Sequence, residues 1–271
     1  MAVVVITGCS SGFGREAAKR FGARGDKVWA TMRRPAEGDD LAEHGDITAH
    51  SLDVNDDASV AACIDAVLVR DGRIDVLVNN AGVGFIGAVE SQSWDLARST
   101  METNLWGAIR TIRGVLPSMR AQGAGRIVNV TSVAALIPTS YNAFYSASKV
   151  ALDRLSEALA WEVADYGIEV ALIEPGFYAT SITDKSIATQ GDIADGPYAE
   201  IEHQVRDFYA KSVAVGGDPS FVAEKIVEVA TMDDPPMRTI CGPDAEMLVQ
   251  GYETMTSDEF AAIGKALMGL A

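Results

Sequence analysis

Val3-Val4-Val5-Ile6-Thr7-Gly8-Cys9-Ser10-Ser11-Gly12-Phe13-Gly14 decides the fold. Its first residues are β-branched, and such a run suits a strand buried on both faces of a parallel sheet. The glycines at 8, 12 and 14 allow a tight turn and a close approach of backbone to ligand. From Phe13 to about Arg24 the pattern becomes helical. A helix starting here aims its free N–H groups and positive dipole end at the turn, which suits a pyrophosphate. The spacing is G-x-x-x-G-x-G, which is neither G-x-G-x-x-G nor the nucleotide-triphosphate loop G-x-x-x-x-G-K-[ST]. No Lys follows Gly14, which disfavours an ATPase.

Working outward, strand-like and helix-like stretches alternate. Strands are expected at Lys27 to Met32, Thr48 to Val54, Ile74 to Val78, Arg126 to Val130, Ile168 to Ile173 and Arg238 to Cys241. Helices are expected at Asp57 to Arg70, Trp94 to Arg120 (bent or ended by Pro117), Phe144 to Tyr166, about 198–213, 220–231, and beyond Gly242. This alternation predicts an α/β fold, a doubly wound parallel sheet with helices on both faces. With no repeat or linker, residues 1–271 read as a single domain. The stretch from 178 to about 217 interrupts the alternation past a strand's carboxyl end. It reads as a substrate-covering lid.

The second strand closes with Met32-Arg33-Arg34 and no acid. An acid there would bond the 2′-hydroxyl of NAD, whereas an Arg accommodates the 2′-phosphate of NADP. Arg33, helped by Ser11 of the glycine turn, therefore points to NADP(H).

Tyr145-Ser146-Ala147-Ser148-Lys149 places a phenol and an ammonium on one helix face. A lysine beside a phenol favours phenolate and brings Tyr145 nearer the working range of a general acid/base. Ser132 ends a strand and is suited to hold a substrate carbonyl oxygen. Asn79-Asn80-Ala81-Gly82 closes another strand, with side chains that tie strands together and small residues that leave room for a cofactor. Asn104 is a poor residue for a helix interior, so a bond to a nearby backbone group or a water is expected.

The bulk numbers exclude other classes. The formal net charge is −16, which disfavours nucleic acid and anionic lipid as partners. Hydrophobic residues make up 48% of the chain, so disorder is disfavoured. Cys9, Cys63 and Cys241 show no disulfide or zinc spacing, and the three histidines show no metal-ligand spacing, so no metal is expected. No apolar run is long enough for a membrane span, and the first strand leaves no room for a signal peptide. A cytoplasmic location is expected.

Taken in order, these motifs resemble the short-chain dehydrogenase/reductase family. The matching set is Thr7-Gly8-x-x-x-Gly12-x-Gly14, Asp53, Asn79 to Gly82, Asn104, Ser132, Tyr145, Lys149 and Pro175-Gly176. The style of residues 7–12 and 30–33 is similar to the 17β-hydroxysteroid and retinol dehydrogenase branch. The resemblance implies a Rossmann-like, seven-stranded sheet. It implies Tyr145 as proton donor or acceptor, with Lys149 lowering its pKa and bonding the nicotinamide ribose. Ser132 would orient substrate and Asn104 would complete a water-borne proton relay. Gly8, Ser10, Ser11, Gly12, Phe13 and Gly14 would surround the nucleotide phosphates. Arg33, Asp53 and Val54 would meet the adenosine end. Asn79, Asn80, Ala81 and Gly82 would lie along the cofactor, with Pro175, Gly176 and Thr180 at its nicotinamide end. The C-terminal stretch from Arg238 to Asp244 departs from the tetrameric members, so a homodimer through helices 94–120 and 144–166 is expected, with a homotetramer as the alternative.

Val83, Phe85, Ala134, Ile137, Pro138, Phe177, Tyr178 and the lid are mostly apolar, which suits a hydrophobic ketone or aldehyde and its alcohol. The lid acids Asp184, Asp192, Asp195, Glu200 and Glu202 disfavour an acidic carrier protein. The alternative reading is a non-catalytic NADP(H)-sensing regulator, a class that typically loses the Tyr or the Lys.

Overall fold

Seven parallel strands form one sheet in a computed structural model that describes residues 1–180, 182, 189–190 and 195–270. The strands are β1 (Val3–Thr7), β2 (Lys27–Met32), β3 (Ile47–Ser51), β4 (Val76–Asn79), β5 (Gly125–Val130), β6 (Ile168–Pro175) and β7 (Arg238–Cys241). Their spatial order is β3-β2-β1-β4-β5-β6-β7. The described helices are α1 (Gly12–Ala23), α2 (Asp57–Asp71), α3 (Trp94–Met101), α4 (Gly107–Gln122), α5 (Ala143–Val163), α6 (Ala199–Ala214), α7 (Pro219–Thr231), α8 (Pro243–Thr254) and α9 (Ser257–Leu267). The α/β, doubly wound architecture expected from the alternation is the one observed.

Burial on both faces is why β1 carries no polar alternation. Val4 and Ile6 pack with Ala17 and Phe21 of α1 and with Val222 and Ile226 of α7. Val3 and Val5 pack on the opposite side, with Ile64 of α2, Val115 of α4 and Leu159 of α5. Each such aliphatic side chain contributes about 1.5–3 kcal/mol by leaving water. The strand order turns between β1 and β4, because β2 and β4 flank β1 on either side. The crevice outside the carboxyl ends at that point is where open α/β sheets bind ligands.

Two features of the long helical stretch differ from expectation. Pro117 does not end it: α4 continues to Gln122 and stops at Gly123, whose φ is 65°. The irregularity lies earlier, where Glu102–Trp106 winds as a π-helical turn between α3 and α4 and carries Asn104. Residues Pro35–His44, between β2 and β3, form 3₁₀ turns that bury Leu41. Gly38 lies there against Met32, and a Cβ on it would sit 2.6 Å from the thioether methyl. The third strand ends at Ser51, so Val54 lies beyond it. Among the described residues, no helix is long and apolar enough to cross a membrane. Part of the expected lid, with Asp184 and Asp192, lies outside the described residues.

Candidate active site

The glycine turn leaves β1 with Gly8 at φ 77° and Gly12 at φ 60°, backbone conformations that favour glycine. Gly8 and Gly14 have no room for a side chain. A Cβ on Gly8 would lie 2.9 Å from the Ala81 Cα, and one on Gly14 would lie 2.4 Å from the Asn80 Nδ2. Asn80 locks the arrangement by donating to the Thr7 carbonyl at 2.9 Å and the Gly8 carbonyl at 3.2 Å. Thr7 Oγ1 accepts from the Asn80 and Ala81 N–H groups, each at 3.0 Å. The turns after β1 and β4 are thereby joined. Ser11 is the N-cap of α1, its side chain does not cap the helix, and no acid lies in the first turn. That end is electropositive and suits phosphate.

Asn79 takes a different role from its neighbour. It is buried, donates to Asn129 Oδ1 at 2.9 Å and accepts from Thr111 Oγ1 at 2.5 Å. It ties β4 to β5 and α4 and does not line the crevice, because consecutive residues leaving a strand point to opposite sides.

The phenol and the ammonium come from the first turns of α5. Lys149 is buried and donates to the Val130 carbonyl at 3.0 Å. Its Nζ lies 5.7 Å from the centre of the Tyr145 ring. Burial pushes the Lys149 ammonium down to about 8. Burial also raises the Tyr145 phenol, which a hydrogen bond from Ser132 partly offsets. The expected lowering of Tyr145 by Lys149 is therefore not what the protein alone displays, because desolvation outweighs the partners present. Ser132 Oγ accepts from the Ala134 N–H at 3.2 Å and reaches the Pro175 carbonyl at 3.5 Å. Gly84 lies flat against the Tyr145 ring, where a Cβ would come within 2.8 Å of Cδ2.

Asn104 meets the expectation of a bond to nearby backbone. Its Oδ1 accepts from the Val83 N–H, and its Nδ2 donates to the Val83 carbonyl, both at 2.8 Å. A further bond of 2.9 Å to Ser148 Oγ links it to α5. The π turn carries this side chain to the β4–α3 loop.

One cavity of ≈ 440 Å³ joins these parts. Its wall includes Gly8, Ser10, Ser11, Gly12 and Phe13 of the first turn, and Arg33, Asp53 and Val54 after β2 and β3. It continues past Asn80, Ala81 and Gly82 to Ser132, Tyr145 and Lys149, then to Pro175, Gly176 and Thr180. Gly14 and Asn104 stand behind the wall as packing and bridging residues. Val83, Phe85, Ala134, Phe177 and Tyr178 lie on it. Ile137 does not, because it packs with Ala245 of α8, and Pro138 is exposed. Glu202, one of the acids of the expected lid, is buried and accepts from the Ala88 N–H at 2.8 Å and from Ser91.

Thr139, Asn142, Tyr209 and Val213 also line the cavity, and the sequence did not single them out. Their only local signal is an aromatic pair, Phe208-Tyr209, on α6; Phe177 packs against both rings. The volume falls in the range of small-molecule sites. The Gly8 and Gly12 cradle, the electropositive end of α1 and the reach from Arg33 to Tyr145 together fit a dinucleotide.

Comparisons with known proteins agree with this geometry. Residues 2–191 match the short chain dehydrogenase family. The chain is 33% identical over 246 residues to a 3-ketodihydrosphingosine reductase of Bacteroides thetaiotaomicron, covering 91% of this chain and 90% of the relative. It is 36% identical over 253 residues to human retinol dehydrogenase 8, covering 87% and 79%. A crystal structure of a short-chain dehydrogenase from Streptomyces avermitilis superposes with a TM-score of 0.83 at 34% identity, covering 100% of this chain and 98% of that one.

Proposed function

Because this chain belongs to the short-chain dehydrogenase/reductase family, we propose that it is an NADP(H)-dependent oxidoreductase that interconverts a hydrophobic ketone or aldehyde and its alcohol. The observation that carries this reading is the Tyr145 phenol, which faces the same cavity as Ser132, Lys149 and the glycine cradle. Bound there, the nicotinamide would supply or accept the hydride at the carbonyl carbon.

The chain's own residues supply position and the proton. Ser132 Oγ orients the carbonyl oxygen toward Tyr145. In reduction, Tyr145 Oη gives its proton to that oxygen; in oxidation it takes the proton back. A raised phenol pKa keeps the proton on Tyr145 until the oxygen accumulates charge. Lys149, fixed on the Val130 carbonyl, holds positive charge next to the ring and steadies the phenolate that forms. Asn104 fixes the Val83 peptide and the start of α5, and it is placed to help return a proton to the site through water. Gly14 and Asn80 keep the cradle in shape.

Arg33 supports the NADP preference. It is exposed, on the cavity wall, at the end of a strand that no acid closes. The substrate end is walled by Phe85, Phe177 and Val213, and the sphingoid and retinoid names of the relatives favour a lipid-like carbonyl. Trp161 on α5 and Trp106 before α4 are 86% and 50% exposed, which supports a homodimer through these helices. The three cysteines are buried and unpaired, in keeping with a reducing cytoplasm, and we read the chain as one domain with a lid.

The test follows NADPH absorbance against steroid, retinoid, aryl and aliphatic carbonyls, with Tyr145→Phe as control. Loss of the proton donor is expected to lower kcat by about 10²–10⁴-fold while NADPH binding persists. Turnover that survives the substitution removes Tyr145 from this role.

A further inference from the structure

Beside Tyr145, the cavity wall carries a polar group that the proposed chemistry leaves unused. Asn142 is the N-cap of α5, where an Asn side chain ordinarily accepts from a backbone N–H of the first turn. It makes no such bond. Its Oδ1 is buried with no hydrogen-bond partner among the described residues. A buried acceptor without a donor is costly, and native proteins rarely keep one without a use.

The surroundings hold Asn142 in this state. Tyr141, immediately before it, sits at φ 57°, a left-handed conformation that a bulky side chain adopts only when its neighbours impose it. The Tyr141 carbonyl accepts from the Gly87 N–H at 2.8 Å. On the other side, Asn142 and Thr139 share the cavity wall with Tyr209 and partly offset the rise that burial gives its phenol, and Thr139 is paired with Ser146. The Asn142 oxygen is left over. Asn142, Thr139, Tyr209 and Tyr145 all line the one cavity. Asn142 precedes Tyr145 by three residues, a spacing of close neighbours on a helix. The terminal amide torsion is soft, so a small turn brings Oδ1 from just beneath the wall to its surface.

We propose that Asn142 is a specificity-determining residue whose Oδ1 accepts a hydrogen bond from an O–H or N–H of the substrate. The substrate class is then a largely apolar ketone bearing a hydroxyl or amino group on the carbon next to the carbonyl or one further. The inference rests on Tyr145 meeting the carbonyl oxygen, which places a neighbouring donor within reach of Asn142. A plain ketone leaves the acceptor unmet, and a site built around a buried polar group rejects the analogue that lacks its partner.

The test is binding rather than turnover. The protein is loaded with NADP⁺ or NAD⁺, whichever binds more tightly, so that no ketone can be reduced. It is then titrated calorimetrically with 1-hydroxydodecan-2-one, 1-aminododecan-2-one and dodecan-2-one. At least one of the donor-bearing ketones is expected to bind about tenfold more tightly than dodecan-2-one, and the better of the two identifies the donor. Asn142→Leu is expected to bring all three within about twofold. Asn142→Asp is expected to shift preference toward the amine, through the new carboxylate. Nucleotide binding, measured first, establishes that each variant is folded. Equal binding of the three ketones by the unsubstituted protein, binding of none, or an Asn142→Leu variant that keeps the tenfold preference overturns the inference. The oxidoreductase reading fails separately, if NADPH is bound but no carbonyl is reduced.

Discussion

The two ends of the cavity are built differently. At the nucleotide end, shape comes from backbone: Gly8 and Gly12 in left-handed conformations, Gly14 pressed on Asn80, and Thr7 bonding two successive N–H groups. These parts come from the turns after β1 and β4 and are fixed by the sheet. At the substrate end, shape comes from side chains drawn from distant segments: Phe85, Thr139, Asn142, Phe177 and Tyr209. The first construction serves a ligand common to many reactions. The second can change one residue at a time without disturbing the sheet, which is how one fold accommodates many substrates.

The comparison predicts that small changes at the nucleotide end have large effects. In Gly14→Ala the added methyl would lie 2.4 Å from the Asn80 Nδ2 and 2.9 Å from the Gly8 carbonyl oxygen. Asn80 must then release the Thr7 and Gly8 carbonyls. Overpacking of this kind costs about 1–3 kcal/mol, so the urea midpoint should fall and nucleotide affinity should drop more than about tenfold. A variant as stable as the parent, with unchanged nucleotide binding, would break the contrast between the two ends. Arg33→Ala tests a smaller effect, because this guanidinium is exposed. Loss of its charge-assisted bonds is expected to weaken NADPH about tenfold and NADH by less than about threefold, with the difference shrinking in high salt. Equal loss for both nucleotides would remove Arg33 from phosphate recognition.

The same contrast explains what the sequence made legible. Val3 to Gly14 and Tyr145 to Lys149 could be read because β-branched runs, glycine spacing and i,i+4 pairing leave local marks. Asn79 and Asn80 could not be told apart, since adjacent identical residues give no sign of which faces the core. The π turn at Glu102–Trp106 has no compositional mark distinguishing it from α-helix, although the bond from Asn104 to nearby backbone was expected from its place in mid-helix. Nothing local marks Glu202 off from the other acids of the expected lid, and only the fold brings Ala88 and Ser91 to it. Thr139, Asn142 and Tyr209 escaped for the same reason: their meeting depends on how α6 lies over the start of α5.

The smallest effect on the ligand sites is expected from the scaffold behind both ends. Arg238, at the start of β7, donates to Asp153 at 2.7 Å and Glu157 at 2.6 Å on α5, and to Glu174 at 2.6 Å on β6. Glu174 directly precedes Pro175 and Gly176 of the cavity wall, and Asp153 lies one turn beyond Lys149. Burial pushes the Glu174 carboxyl up to about 7, and Asp153 adds to this against the opposing pull of Arg238. The folded protein therefore holds a proton that the unfolded chain releases near the ordinary glutamate range. Stability should fall as pH rises from about 4.5 through about 7, and the full cost should persist above that. Glu174→Gln keeps an acceptor for Arg238 and removes the titrating proton. Urea unfolding at pH 5 and pH 8 should show the parent losing about 1–3 kcal/mol over this interval, beyond any change in the variant. Parallel pH profiles would assign the proton elsewhere. If nucleotide affinity changes over the same interval in the parent and stays flat in the variant, the network reaches the cavity wall through Pro175, and the nucleotide end is rigid only while Glu174 keeps its proton.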